Sequence, residues 1–131
     1  MSFEIYADSF VIDKKNLIRT ATAAFIYLKL KNPEIELIFV DEKCIKRLND
    51  QYRSIDKATD VLSFIIEKKP LIGQIFICYN KAKKQAISNK KSLDEEIINL
   101  FIHGLIHLCG YDHTTQAEAD KMEKIEQLLI K

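Results

Sequence analysis

Apolar residues recur along this chain at two spacings, every second position in some stretches and every third or fourth in others. The first spacing marks a strand with unlike faces, the second a helix with one buried stripe. Phe3 to Tyr6 reads as a short first strand. Leu17, Ile18, Ala21, Ala24, Phe25 and Leu28 make one stripe, which predicts a helix with Asp13 as its N-cap. Ile35, Leu37 and Phe39 alternate with Glu36 and Ile38, so a strand with one mainly buried face follows. Asp41 is placed to cap a second helix, with Cys44, Ile45 and Leu48 inward, and Tyr52 to Thr59 reads as a polar loop. Val61 to Ile66 and Gln74 to Tyr79 read as strands on either side of a turn at Lys68 to Gly73, before a helix over about Lys81 to Ser88. The prolines, Pro33 and Pro70, fall in short connections.

The next helix is announced more strongly. Ser92 and Glu95 have capping-box spacing, and Asp94, Glu95 and Glu96 suit the positive end of the helix dipole. From Ile97 to Cys109 the helix is apolar almost all round, which predicts a central, buried element. Its one polar stripe is Asn99, His103 and His107, at four-residue steps. Thr115 and Glu118 are spaced as a second capping box, opening a last helix with Ala119, Met122, Ile125 and Leu129 inward. Helices and strands mix without strict alternation. The prediction is one α+β domain over residues 1–131, a mixed sheet of about four strands packed against helices, with a central buried helix that binds metal.

Composition narrows the classes. With 47% hydrophobic and 30% charged residues the chain fits a soluble globular domain. No apolar run has the length of a membrane span, and Met1 to Asp8 lacks the basic and apolar regions of a signal peptide. Cys44, Cys78 and Cys109 are scattered and odd in number, which points to reduced thiols and a cytoplasmic protein. The net charge of +1 makes no global case for nucleic acid. Lys81, Lys83, Lys84, Lys90 and Lys91, in a stretch without an acid, read either as a solvated helix face or as a strip for a phosphate backbone.

All three histidines lie in one short run, His103-Gly104-Leu105-Ile106-His107-Leu108-Cys109-Gly110-Tyr111-Asp112-His113. His103 and His107 point from one helix face, Gly110 permits a turn, and His113 can swing back toward them. Three buried imidazoles without partners would cost several kcal/mol, and a shared metal removes that cost. Three histidines suit one Zn²⁺ with a fourth position open. Cys109 is rotated off the histidine face and is expected in the core. The spacing matches the three-histidine pattern of the metzincins, but Gly104 stands where a zinc protease carries its general-base glutamate. That absence argues against peptide hydrolysis, and a missing side chain there would leave room for a bulky substrate.

The histidine run resembles the signature of the YbeY family, metal-dependent endoribonucleases and rRNA maturation factors of bacteria. A second block, Leu48-Asn49 and then Tyr52-Arg53-Ser54-Ile55-Asp56-Lys57-Ala58-Thr59-Asp60-Val61-Leu62-Ser63-Phe64, resembles another family stretch. The C-terminal helix with Met122, Glu126 and Leu129 fits too, so the resemblance spans about residues 35 to 130. Two positions depart: Ala58 stands where the family usually has proline, and Gln74 where an aspartate is usual after Gly73. Gln74 is therefore given no catalytic role.

The resemblance implies zinc-dependent cleavage of single-stranded RNA, in 3′-end maturation of small-subunit (16S) ribosomal RNA and in ribosome quality control. It implies His103, His107 and His113 as ligands of one zinc ion and Arg53 as the functionally important arginine. It also suggests the small ribosomal subunit and assembly factors as partners. Lys57 is a further candidate for phosphate contact. No general base is evident; Asp112 can orient a histidine or cap a turn, and both readings stand. Two other functions compete: a metzincin-like hydrolase of another substrate, and a non-enzymatic, zinc-stabilised ribosome assembly factor.

Overall fold

The alternating segments pair into one four-stranded sheet in a computed structural model that describes residues 2–111 and 116–130, apart from the side chains of Glu118, Leu129 and Ile130. The elements are β1 (Ser2–Tyr6), α1 (Lys14–Tyr27), β2 (Glu34–Val40), α2 (Glu42–Arg53), β3 (Val61–Glu67), β4 (Ile72–Cys78), α3 (Tyr79–Ser88), α4 (Leu93–Leu108) and α5 (Gln116–Ile130). The strand order is β1-β2-β4-β3. β1, β2 and β4 run parallel, and β3 joins β4 as an antiparallel edge strand. The α+β class and the mixed sheet are as the sequence predicts. No helix among the described residues is long and apolar enough to cross a membrane.

Strand alternation decides which helices cover which face. Ile35, Leu37, Phe39, Ile75 and Ile77 face the main core, which α1, α4 and α5 close with Leu17, Ala21, Phe25, Phe101, Leu105, Met122 and Ile125. Leu62, Phe64, Phe76 and Cys78 face the other way, toward Ile45 and Leu48 of α2. Helix α4 lies at the centre of the larger layer: Ile97, Phe101, Ile102, Leu105 and Ile106 are all inaccessible. Each such side chain contributes about 1.5–3 kcal/mol by leaving water, which fixes the rotation of α4 and hence the direction of its one polar stripe. The capping box at Ser92 and Glu95 is formed.

Several local expectations shift. Ile18 is 48% exposed rather than inward, because α1 rests on the sheet along the narrower stripe of Leu17, Ala21, Ala24 and Phe25. Helix α2 continues through Tyr52 and Arg53, positions read as loop. Nothing in their polarity stops a helix; the stop is Ser54, which takes a left-handed conformation (φ 56°) while its N–H donates to Asp50 O at 3.0 Å. Tyr79, read as the end of β4, opens α3 instead. Asn49, which no pattern marks as inward, is buried and ties down the next loop: its Nδ2 donates to Lys57 O at 3.0 Å, and its backbone carbonyl accepts from Ile55 N at 3.3 Å. The expected capping box at Thr115 and Glu118 lies outside the described residues and side chains.

Candidate active site

The site is set by how closely α4 approaches β3. Gly104 faces the sheet, and a Cβ there would meet Ile75 Cγ2 and Ser63 Oγ at 2.9 Å and Val61 Cγ2 at 3.3 Å. Ser63 Oγ–H donates to Gly104 O at 3.0 Å, pinning the helix to the edge strand. The bare position thus serves helix–sheet contact, and the expectation that it leaves room for substrate is corrected: the space is already filled by Ile75, Ser63 and Val61. A glutamate could not be accommodated at 104 without moving α4 off the sheet.

His103 and His107 project from α4 into one cleft of about 590 Å³. Their rings meet edge to face, with centroids 4.6 Å apart, and their Nε2 atoms are 3.1 Å apart. Two zinc–nitrogen bonds of about 2.0–2.1 Å at a tetrahedral angle would hold such nitrogens about 3.3 Å apart. The pair therefore fits a shared cation with little adjustment. His113 and Asp112 lie outside the described residues.

Behind the pair stands a carboxylate. Glu126 of α5 places Oε1 2.8 Å from His103 Nδ1, with both side chains mostly covered. An imidazole that shares its Nδ1 proton with a carboxylate presents Nε2 outward, as metal-bound histidines commonly do. The His103 imidazole is held above the ordinary histidine range, first by that bond; burial opposes it, and the charges of Glu126 and Asp60 add to it. Burial alone pushes the Cys109 thiol up to about 11, and the side chain packs against the core, as its place off the histidine face predicts.

Arg53, from the last turn of α2, lines the same cleft, so the structure brings it together with His103 and His107. Lys57 is exposed in the loop beyond and is not among the residues that line the cleft. Gln74 sits on the sheet face away from α4, where its Nε2 donates to Glu36 Oε1 at 3.0 Å across β2 and β4. An aspartate at 74 on this strand would face the same way, which supports leaving the position without a catalytic role. In the lysine strip on and after α3, Lys84 Nζ pairs with Glu42 Oε1 at 3.3 Å, and Lys83 Nζ lies 5.9 Å from the Tyr79 ring centroid.

Two acids carry roles that spacing did not signal. Asp60 lines the cleft, its Oδ1 accepting from Val61 N at 2.8 Å and its Oδ2 from Gln85 Nε2 at 3.1 Å. Glu126 lies 23 residues from the histidine it orients. Its only local sign was a carboxylate beside the buried stripe of an amphipathic helix, next to Ile125.

The family model described as endoribonuclease YbeY matches residues 5–131. A protein of Nautilia profundicola described as endoribonuclease YbeY is 48% identical over 108 residues, 81% of this chain and 76% of its own length. One of Chromobacterium violaceum with the same description is 32% identical over 137 residues, covering 100% of this chain and 82% of itself. A Thermotoga maritima protein with a known solution structure superimposes with a TM-score of 0.66 at 26% identity, over 97% of this chain and 88% of that one.

Proposed function

The chain belongs to the YbeY endoribonuclease family, and from that membership we propose that it is a zinc-dependent endoribonuclease of single-stranded RNA. The observation that carries the reading is the convergence of His103 and His107 Nε2 in the cleft that Arg53 also lines. His103, His107 and, by the family signature, His113 would hold the ion. Bound zinc supplies a Lewis acid that lowers the pKa of a water or withdraws charge from a phosphoryl oxygen.

The chain's own groups do the rest. Glu126 fixes the His103 ring and the nitrogen it offers. The guanidinium of Arg53 forks onto the phosphoryl oxygens, where negative charge accumulates as the bond to the leaving oxygen breaks. Asp60 is held in the wall of the same cleft by Val61 N–H and Gln85 Nε2. The nucleophile is a water or the substrate's own 2′-hydroxyl; a 2′,3′-cyclic phosphate on the upstream fragment identifies the second. The family also supports a cytoplasmic role in 16S rRNA 3′-end maturation and ribosome quality control, with the small subunit and an assembly GTPase as partners.

The test pairs metal content with cleavage. Wild-type protein, His107→Ala and Arg53→Ala are assayed for zinc and incubated in parallel with labelled single-stranded RNA and with casein. Wild type carries one zinc and cuts RNA only; His107→Ala loses both zinc and cleavage. Arg53→Ala keeps zinc and loses about 10²-fold or more in rate, the scale of one charge-stabilising donor. Casein cleavage alone would establish the metzincin-like alternative. Normal rRNA processing by His107→Ala in cells lacking the wild type would establish the non-enzymatic one.

A further inference from the structure

Charge is divided at His103. The hollow on its α5 side is lined by Asp60, Glu123 and Glu126, with Lys91. On the other side the cleft opens past Leu108 and Gly110 to Tyr111. Tyr111 also lines two further grooves of about 430 and 580 Å³. The first carries Lys68 and Lys69, the second Lys29, Lys121 and Lys124, and among the described residues no carboxylate lines either. All five lysines are exposed, and none is in an ion pair among the described residues. Lys121 Nζ stands 5.3 Å from the Tyr111 ring centroid, at the junction of cleft and grooves. The second groove is walled by Tyr27, a ring 48% exposed at the end of α1.

A cationic trough with exposed aromatic rings is how proteins hold an unpaired strand, with lysines on the phosphates and rings under the bases. From this we propose that the grooves beyond Tyr111 form an extended binding track for single-stranded RNA. The strand leaves the cleft toward α1 and α5, Lys121 and Lys124 contact its phosphates, and Tyr27 stacks on a base. This rests on the endoribonuclease reading and adds to it the direction and length of the bound strand. It also assigns the phosphate contacts to these lysines and not to the lysine strip of α3.

The experiment measures fluorescence anisotropy of fluorescein-labelled oligouridylates of about 4 and about 12 nucleotides, a short and a long length within the range of single-strand site sizes. It compares wild type, the double variant Lys121→Ala with Lys124→Ala, the double variant Lys83→Ala with Lys90→Ala, Tyr27→Ala and Tyr27→Phe, across a salt series. Each phosphate contact on a single strand contributes about 0.7 to the slope of log K against log salt. Loss of two contacts lowers the slope by about 1.4 and weakens binding of the longer oligomer about 25-fold at 0.1 M salt. The shorter oligomer binds this variant as it binds wild type. Tyr27→Ala weakens the longer oligomer about tenfold and Tyr27→Phe restores it, because stacking needs the ring and not the hydroxyl. The Lys83/Lys90 variant matches wild type for both lengths.

Undiminished binding of the longer oligomer by the Lys121/Lys124 variant overturns the track, as does a loss confined to the Lys83/Lys90 variant. Wild-type protein that cleaves RNA but binds both lengths equally also overturns it and leaves the endoribonuclease reading intact. Wild-type protein that neither binds nor cleaves RNA removes that reading, and the track with it.

Discussion

Glu126 is one side chain, yet it decides how His103 faces the cleft. An imidazole has two nitrogens, and which one is free to bind is set by what the other bonds. With Nδ1 given to Glu126 at 2.8 Å, Nε2 is directed toward His107. Replacing Glu126 with alanine is expected to lower zinc affinity by about 10–100-fold, as loss of such outer partners does elsewhere. Glu126→Gln, which keeps an accepting oxygen, should lose less. Competition with a chromophoric chelator measures both. Unchanged affinity in Glu126→Ala would mean that the ring is held by other contacts. The histidines were legible from their spacing, but this partner was not. Its contact spans 23 residues, and local periodicity says nothing about which side chains of two helices meet.

At the scale of elements, the contact between α4 and β3 positions the chemistry. In an isolated helix, alanine in place of Gly104 would gain about 1 kcal/mol. Here the added methyl would sit 2.9 Å from Ile75 Cγ2 and Ser63 Oγ. Ile75 Cγ2 hangs directly from a β-branched carbon in a central strand, so the strand or the helix must move. Overpacking of this kind costs about 1–3 kcal/mol. Gly104→Ala is therefore expected to be destabilising by up to about 2 kcal/mol in urea unfolding, and to weaken zinc binding because both histidines ride on the displaced helix. A variant as stable as wild type would show slack between helix and sheet. The same reasoning explains the extension of α2. The polar run Tyr52 to Thr59 looked like loop, but composition only permits a loop, while the left-handed turn at Ser54 makes one. The two added residues put Arg53 at the end of the helix.

On the scale of the whole molecule, the cleft is assembled from distant parts of the chain: Arg53 from α2, Asp60 and Ser63 around β3, the histidines from α4, and Glu126 behind them from α5. A ligand gripped by groups that converge only in the folded chain stabilises that fold by mass action. Zinc at about 100 times its dissociation constant adds about 2.7 kcal/mol. For a domain of this size, chelation should lower the melting temperature by roughly 8–12 °C. Differential scanning calorimetry with and without chelator measures it, and an unchanged transition would mean no native-state metal. By itself the sequence determined the two periodicities, the caps of α1, α2 and α4, the central placement of α4 and the stripe of His103 and His107, because each depends on residues within a turn or two of one another. Only the tertiary structure decided that Gly104 serves the sheet, that Gln74 faces away from the histidines, that Arg53 reaches their cleft and that Glu126 backs His103. These depend on the rotation and approach of whole elements, which the buried faces of all of them fix together.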